Sequence, residues 1–182
     1  MLVIKLGGSL ESAKTLLHCL NRIEQQYHNQ KVVIVTGGGV FAEQVRITQQ
    51  HWQFNDECAH AMALLAMQQM AWLVKGLQAD VELAHSVRAI QQSPSNIIVW
   101  SPDIDELNNA GVPATWDITS DSLAAWLADR LSADELLVIK SAAIDDTLSL
   151  AQLAERGIVD KAFCECVANS AFTVRVINQQ CL

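Results

Sequence analysis

Lys5 closes an apolar run, Leu2–Leu6, and is followed at once by Gly7, Gly8 and Ser9. A second apolar run, Val32–Val35, leads into Thr36 and the triplet Gly37-Gly38-Gly39. Glycine permits close backbone approach, and a helix that starts just beyond adds the positive end of its dipole. Two such turns offer two places where bare N–H groups can meet a phosphate, and Lys5 adds a mobile point charge beside them. The combination points to phosphate handling, and to a kinase before a simple binding module. Few residues can play a catalytic cation, because the lysines are only Lys5, Lys14, Lys31, Lys75, Lys140 and Lys161.

A third cluster, Trp116-Asp117-Ile118-Thr119-Ser120-Asp121-Ser122-Leu123-Ala124, opens a helix with hydroxyls and two carboxylates. One reading is an N-cap, in which Thr119 or Ser120 satisfies free N–H groups and Asp121 complements the dipole. The other has Asp121 orient a lysine or a metal-bound phosphate while the hydroxyls contact substrate. One residue can do both. Weaker signals surround these. Glu57-x-x-His60 places two polar groups on one helix face, a polar seam or an acceptor contact at His60. Trp100 and Trp116 fall near strand ends or site loops, where each either packs in the core or stacks on a flat ring. Arg46 either reaches an anionic acceptor or joins a surface ion pair. Cys164-x-Cys166 with Cys181 lacks a second ligand pair for zinc, and the five cysteines are expected as free buried thiols.

The elements that must position these groups are legible as apolar runs. Leu2–Leu6, Val32–Val35, Asn96–Trp100, Glu135–Lys140 and Phe172–Ile177 read as strands buried on both faces, without period-two alternation. Helices are expected over Ser12–Tyr27, Phe41–His51, Asp56–Gly76, Asp80–Ile90, Ser120–Leu131 and Val159–Ala168. Alternating strands and helices give an α/β fold with a mostly parallel central sheet and helices on both faces. Ligands then sit at the carboxyl ends of the strands, where both glycine turns and the loops after Trp100 and Lys140 fall.

The chain has 182 residues, 51% of them apolar, which suits one domain over 1–182. Its net charge of −8 argues against nucleic acid as a partner. No membrane span is expected, and Lys5, Gly7 and Gly8 interrupt the first apolar run too soon for a secretory leader, so a cytoplasmic location is expected.

Taken in order, Lys5-x-Gly-Gly-Ser, Gly37-Gly-Gly and Asp117-x-x-Ser-Asp121 resemble the amino acid kinase superfamily, which includes acetylglutamate, aspartate, uridylate, carbamate and isopentenyl phosphate kinases. More narrowly, Trp116–Ala124 resembles the W-x-I-T-S-D-S segment of the kinases that phosphorylate aminomethylfuran-methyl phosphate in methanofuran biosynthesis. The stretch Val159–Phe163 leading to Val174–Asn178 resembles the end of those chains. The resemblance implies a three-layer sandwich and an ATP-dependent transfer to a phosphate or carboxylate acceptor, with aminomethylfuran-methyl phosphate as the specific expectation. The alternatives are a uridylate or isopentenyl phosphate kinase and a non-catalytic ligand-binding member.

It also implies roles. Lys5 would neutralise the transferring phosphoryl group. Gly7, Gly8 and Ser9 would present N–H groups to the nucleotide, with Ser141 on the same side. Gly37, Gly38 and Gly39 would bind the acceptor side, with Asp117 and Ser120. Asp121 would hold the catalytic lysines, the second being Lys140, favoured by its strand-end position, or Lys161. Mg²⁺ would travel with ATP, with no metal site made by side chains. The acceptor would be a small phosphorylated molecule, and the chain a homodimer or larger homo-oligomer with the Asp56–Gly76 helix at the interface. Two departures stand out. Lys140-Ser141-Ala142-Ala143 replaces the Val-Asp-Gly loop under the nucleotide, and the sequence stops soon after Asn178, so an abbreviated nucleotide half is expected.

Overall fold

The computed structural model describes residues 1–10, 13–145 and 147–182; the side chains of Ser9 and Ala13 lie outside that description. In chain order the elements are β1 (Leu2–Leu6), α1 (Ala13–Tyr27), β2 (Val32–Thr36), α2 (Gly39–Trp52), α3 (Asp56–Leu77), β3 (Glu82–Ala84) and α4 (Val87–Gln92). They continue with β4 (Ile97–Trp100), α5 (Ile104–Asn109), α6 (Ser120–Arg130), β5 (Glu135–Lys140), α7 (Leu150–Glu155), α8 (Phe163–Val167) and β6 (Thr173–Asn178). The strands form one six-stranded sheet in the order β3-β4-β2-β1-β5-β6. Every pairing is parallel. The chain first adds strands on one side of β1 and then returns to add β5 and β6 on the other. That reversal puts the topological switch point between β1 and β5, where open α/β sheets bind ligands.

Strand alternation sorts the core and aims the lysines. Leu2, Ile4 and Leu6 of β1 pack with Ile34, Leu137 and Ile139 against Leu16, Leu20 and Ile23 of α1. Val3 faces the other way, with Val33, Leu136 and Val138, onto Leu123, Ala124 and Leu127 of α6. Side chains two apart share a face, so Lys5 follows Val3 and Lys140 follows Val138 onto the α6 side. Continuous burial on both faces explains why β1 and β2 read as unbroken apolar runs.

The expected helix over Asp80–Ile90 is not one element. Glu82–Ala84 pairs with β4 as an edge strand, and α4 begins only after Ser86, whose hydroxyl accepts from the Ala89 N–H at 3.1 Å. The Glu82 carboxylate is tied to the Ser93 and Ser95 hydroxyls at 2.8 and 2.6 Å, holding it at the sheet edge rather than on a helix surface. The expected helix over Val159–Ala168 shortens to Phe163–Val167, because Asp160 is drawn away to the start of α6. Two short helices, α5 and α7, went unread. The Ser149-x-x-Gln152 capping box before α7 is the signal that could have found it. The cysteines are free, but only Cys19 is fully buried; Cys58, Cys166 and Cys181 are exposed on surface loops and helix faces.

Candidate active site

At the switch point, one carboxylate bridges two ammonium groups. Asp121, in the first turn of α6, lies 2.7 Å through Oδ1 from Lys5 Nζ and 2.7 Å through Oδ2 from Lys140 Nζ. The Asp121 side chain is 4% exposed and Lys5 is equally shut away, so both charges depend on this contact. Burial pushes the Asp121 carboxyl upward, but the two lysines outweigh it and hold the group below the ordinary carboxylate range. Lys140 is pushed down to about 8, by burial first and by repulsion from Lys5 second, with Asp121 opposing both.

Asp121 is itself held from outside its helix. Thr119 is the residue preceding α6, yet its hydroxyl makes no capping bond. Asp160 caps the helix instead. Its Oδ2 accepts from the Thr119 N–H at 2.9 Å, the Thr119 hydroxyl at 3.0 Å and the Ser122 N–H at 3.0 Å, and its Oδ1 accepts from the Ser122 hydroxyl. The Asp160 N–H donates to Asp121 Oδ2 at 3.2 Å. Asp160 was not among the residues singled out from the sequence, because a cap that arrives from a distant loop leaves no local signature.

The two glycine turns press on each other. A Cβ on Gly37 would lie 2.7 Å from the Gly8 nitrogen, and one on Gly8 would lie 3.0 Å from the Gly39 nitrogen. Gly39 also adopts φ +53°, in the left-handed region that favours glycine. The glycines are therefore needed for backbone-on-backbone packing as much as for exposure of N–H groups. Two of the expected N–H donors are already committed: Gly7 donates to the Ile139 carbonyl at 3.0 Å and Gly37 to the Leu6 carbonyl at 2.9 Å. Both bonds extend the strand ladders.

A cleft of about 870 Å³ opens over this centre, lined by Lys5, Asp121 and Lys140, by both glycine turns through Gly8 and Gly37–Gly39, and by Asp117 and Ser120. Gly7 and Ser141 do not line it, and the Ser9 side chain lies outside the described residues. Ser141 sits in an exposed loop whose carbonyl, with that of Ala142, accepts from the Asn178 side-chain amide at 3.1 and 2.7 Å. Lys161 also borders the cleft, but its partner is Asp117 at 3.2 Å in an exposed ion pair, so of the two candidate lysines it is Lys140 that meets Asp121.

The opposite wall comes from α2, α3 and the loop before α6. The Arg46 guanidinium lies 4.3 Å from the centre of the Trp116 ring, and Trp116 Nε1 donates to Gln49 Oε1 at 2.7 Å. One face of Trp116 is therefore occupied by Arg46. Trp100 is fully buried and stacks on Trp126, so it belongs to the core. His60 lines the cleft while Glu57 is exposed to solvent, and among the described residues no group of three metal-ligating side chains assembles.

A parallel α/β sheet with a lysine–aspartate–lysine bridge at its switch point, beneath paired glycine turns, defines the class of protein. A family model for the amino acid kinase family matches residues 1–143, and the chain belongs to that family. It is 30% identical over 148 residues to (5-(aminomethyl)furan-3-yl)methyl phosphate kinase of Methanocaldococcus jannaschii, a match covering 76% of this chain and 64% of that relative. The matched region thus spans just under two thirds of the relative's length. Among solved structures, the fold is similar to uridylate kinase of Archaeoglobus fulgidus, with a TM-score of 0.73 at 16% identity over 97% of this chain and 90% of that one. UMP kinase of Ureaplasma parvum gives 0.72 at 15% identity, covering 97% and 88%.

Proposed function

We propose that this protein is an ATP-dependent kinase whose acceptor is a small phosphorylated molecule. The observation that carries the reading is the Asp121 carboxylate held between Lys5 and Lys140 on the floor of the cleft. Phosphoryl transfer demands positioning and charge stabilisation more than covalent chemistry. The γ-phosphoryl leaves ADP as its bond to the bridging oxygen breaks, and a new bond forms to an oxygen of the acceptor. Lys5 and Lys140 stabilise the charge spread over that group, and Asp121 fixes both lysines in advance, so no reorganisation is needed in the transition state. Asp121 is committed to two ammonium groups and does not serve as a base. An acceptor oxygen that is already anionic needs none, which favours a phosphate or carboxylate over an alcohol. The Gly8 and Gly37–Gly39 turns would approach the phosphates on the two sides. Mg²⁺ would bind through phosphate oxygens and water, since Asp121 is taken.

The acceptor we favour is an aminomethylfuran-methyl phosphate, the molecule for which the relative from M. jannaschii is named. A homodimer or larger homo-oligomer is part of the reading. The α2–α3 surface exposes Ile47, Trp52, Leu65, Trp72 and Leu73, a run of apolar side chains that a second copy would cover. Among the described residues no helix is long and apolar enough to cross a membrane, and a site for ATP suits the cytoplasm. Coupled ADP-release assays with aminomethylfuran-methyl phosphate, UMP and isopentenyl phosphate test the reading. Turnover with the furan that falls by about 100- to 1000-fold in Lys5→Ala is expected. Turnover with UMP alone would replace the acceptor, and no turnover with any of the three would remove the kinase assignment.

A further inference from the structure

A second cavity, of about 230 Å³, lies at the amino ends of β2 and β4, the opposite end of the sheet from the cleft. Its floor is apolar: Leu20 and Ile23 of α1, Ile34 of β2, Ile97 of β4 and Val81. An apolar cavity of about 150 Å³ holds benzene, so this space takes one ring with a short arm. The polar rim has committed its donors. The Gln78 side-chain amide donates to Asn21 Oδ1 at 2.8 Å, that of Asn96 to the His28 carbonyl at 3.2 Å, and the Ser95 hydroxyl to Glu82 at 2.6 Å. What remains are acceptors. They are the side-chain carbonyl oxygens of Gln78 and Asn96 and the exposed carboxylates of Glu24 and Asp80, which have no partner among the described residues.

The helices add charge of the same sign. α1 and α3 both end at this rim, just before His28 and Gln78, and a helix C-terminus carries partial negative charge. The last turn of α1 has no basic residue. Lys75, in the last turn of α3, is drawn onto the Ala79 and Val81 carbonyls, each at 2.7 Å, and Lys31 onto the Ser93 carbonyl at 2.7 Å. Among the described residues no lysine or arginine lines the cavity.

We propose that this cavity is a second binding site, for a small primary ammonium ion carrying an apolar body of about one ring. The body would cover the Leu20, Ile23 and Ile34 floor, and the ammonium would donate to Glu24 and Asp80 at the rim. The same carboxylates repel phosphates and carboxylates, so the ligand is neither the nucleotide nor a phosphorylated acceptor. No residue lines both this cavity and the cleft, and the proposal does not rest on the kinase reading.

The test titrates 2-phenylethylamine, protonated at neutral pH, into the full chain, followed by calorimetry and methyl NMR. 2-Phenylethanol and 3-phenylpropionate serve as its neutral and anionic counterparts. The amine is expected to saturate at millimolar concentration or below, with shifts at the Ile23, Ile34 and Ile97 methyl groups. The alcohol should bind about 3- to 30-fold more weakly, the worth of two exposed ion pairs, and the carboxylate more weakly still. Glu24→Gln with Asp80→Asn, two surface changes, should weaken the amine by the same factor and leave the alcohol unchanged. No saturation at millimolar amine, equal binding of the alcohol or the carboxylate, an unchanged double variant, or shifts confined to cleft residues such as Leu64 and Ile118 would each overturn the proposal. None of these readouts uses turnover, so failure here leaves the kinase reading standing, and failure of the kinase reading leaves this site standing.

Discussion

Two lysines brought together at the carboxyl ends of β1 and β5 repel each other, and among the described residues Asp121 is the counter-charge that makes their burial tolerable. Asp121→Asn leaves both ammonium groups without a counter-charge and should cost about 3–5 kcal/mol, measured by denaturant unfolding. The pH dependence has a defined sign. Asp121 titrates below the ordinary carboxylate range, so its stabilisation is present above the unfolded value and is lost as acid brings the pH down through the folded one. Lys140 titrates at about 8, below its ordinary 10.5, so its charge is a cost to the folded state that is relieved as pH rises from about 8 towards 10.5. Activity should move the other way. kcat/KM is expected to fall as pH rises through about 8 and Lys140 loses its proton, and Lys140→Arg should remove that limb from the profile. A profile flat from pH 7 to 9.5 would count against a catalytic charge on Lys140. Lys5→Ala should lower kcat by about 100- to 1000-fold, the loss typical of one stabilising donor.

Elements deliver these residues by ordinary means. Period two along β1 and β5 aims both lysines at α6, and an Ala- and Leu-rich α6 packs close enough to present Asp121. The cap of α6 comes from Asp160, so Asp160→Ala should cost about 0.5–2 kcal/mol in chemical denaturation and lower kcat, through loss of the bonds that orient the turn bearing Asp121. Gly37→Ala forces a methyl against the Gly8 backbone and should destabilise by about 1–3 kcal/mol, read as a lower Tm. Much of this was legible in the sequence. The central strands announced themselves because strands buried on both faces are continuously apolar, and Lys5, Asp121 and Lys140 stood out as rare charges beside strand ends or a helix start. What was not legible depended on contacts across the fold. Glu82–Ala84 is a strand only because β4 offers an edge. Asp160 is a cap only because α6 lies beside its loop. The backbone bonds that engage the Gly7 and Gly37 N–H groups are likewise encoded by no local pattern.

At the scale of the molecule, the reversal of strand order beside β1 makes the cleft, and the proposed homo-oligomer would use the exposed apolar side chains of α2 and α3. Trp72 is 61% exposed on that surface, with Leu65 and Leu73 beside it on α3. Sedimentation should show an oligomer that Leu65→Glu with Trp72→Glu dissociates, and a wild-type monomer at micromolar concentration would contradict it. The central claim, that the Lys5–Asp121–Lys140 centre receives nucleotide phosphates, is tested most directly by calorimetric titration of Mg-ATP into wild type and Lys5→Ala, with and without the furan phosphate. Saturable binding to wild type, weakened in a folded Lys5→Ala variant, is the predicted result. No binding at millimolar nucleotide in either condition, or binding unchanged by Lys5→Ala, would contradict it.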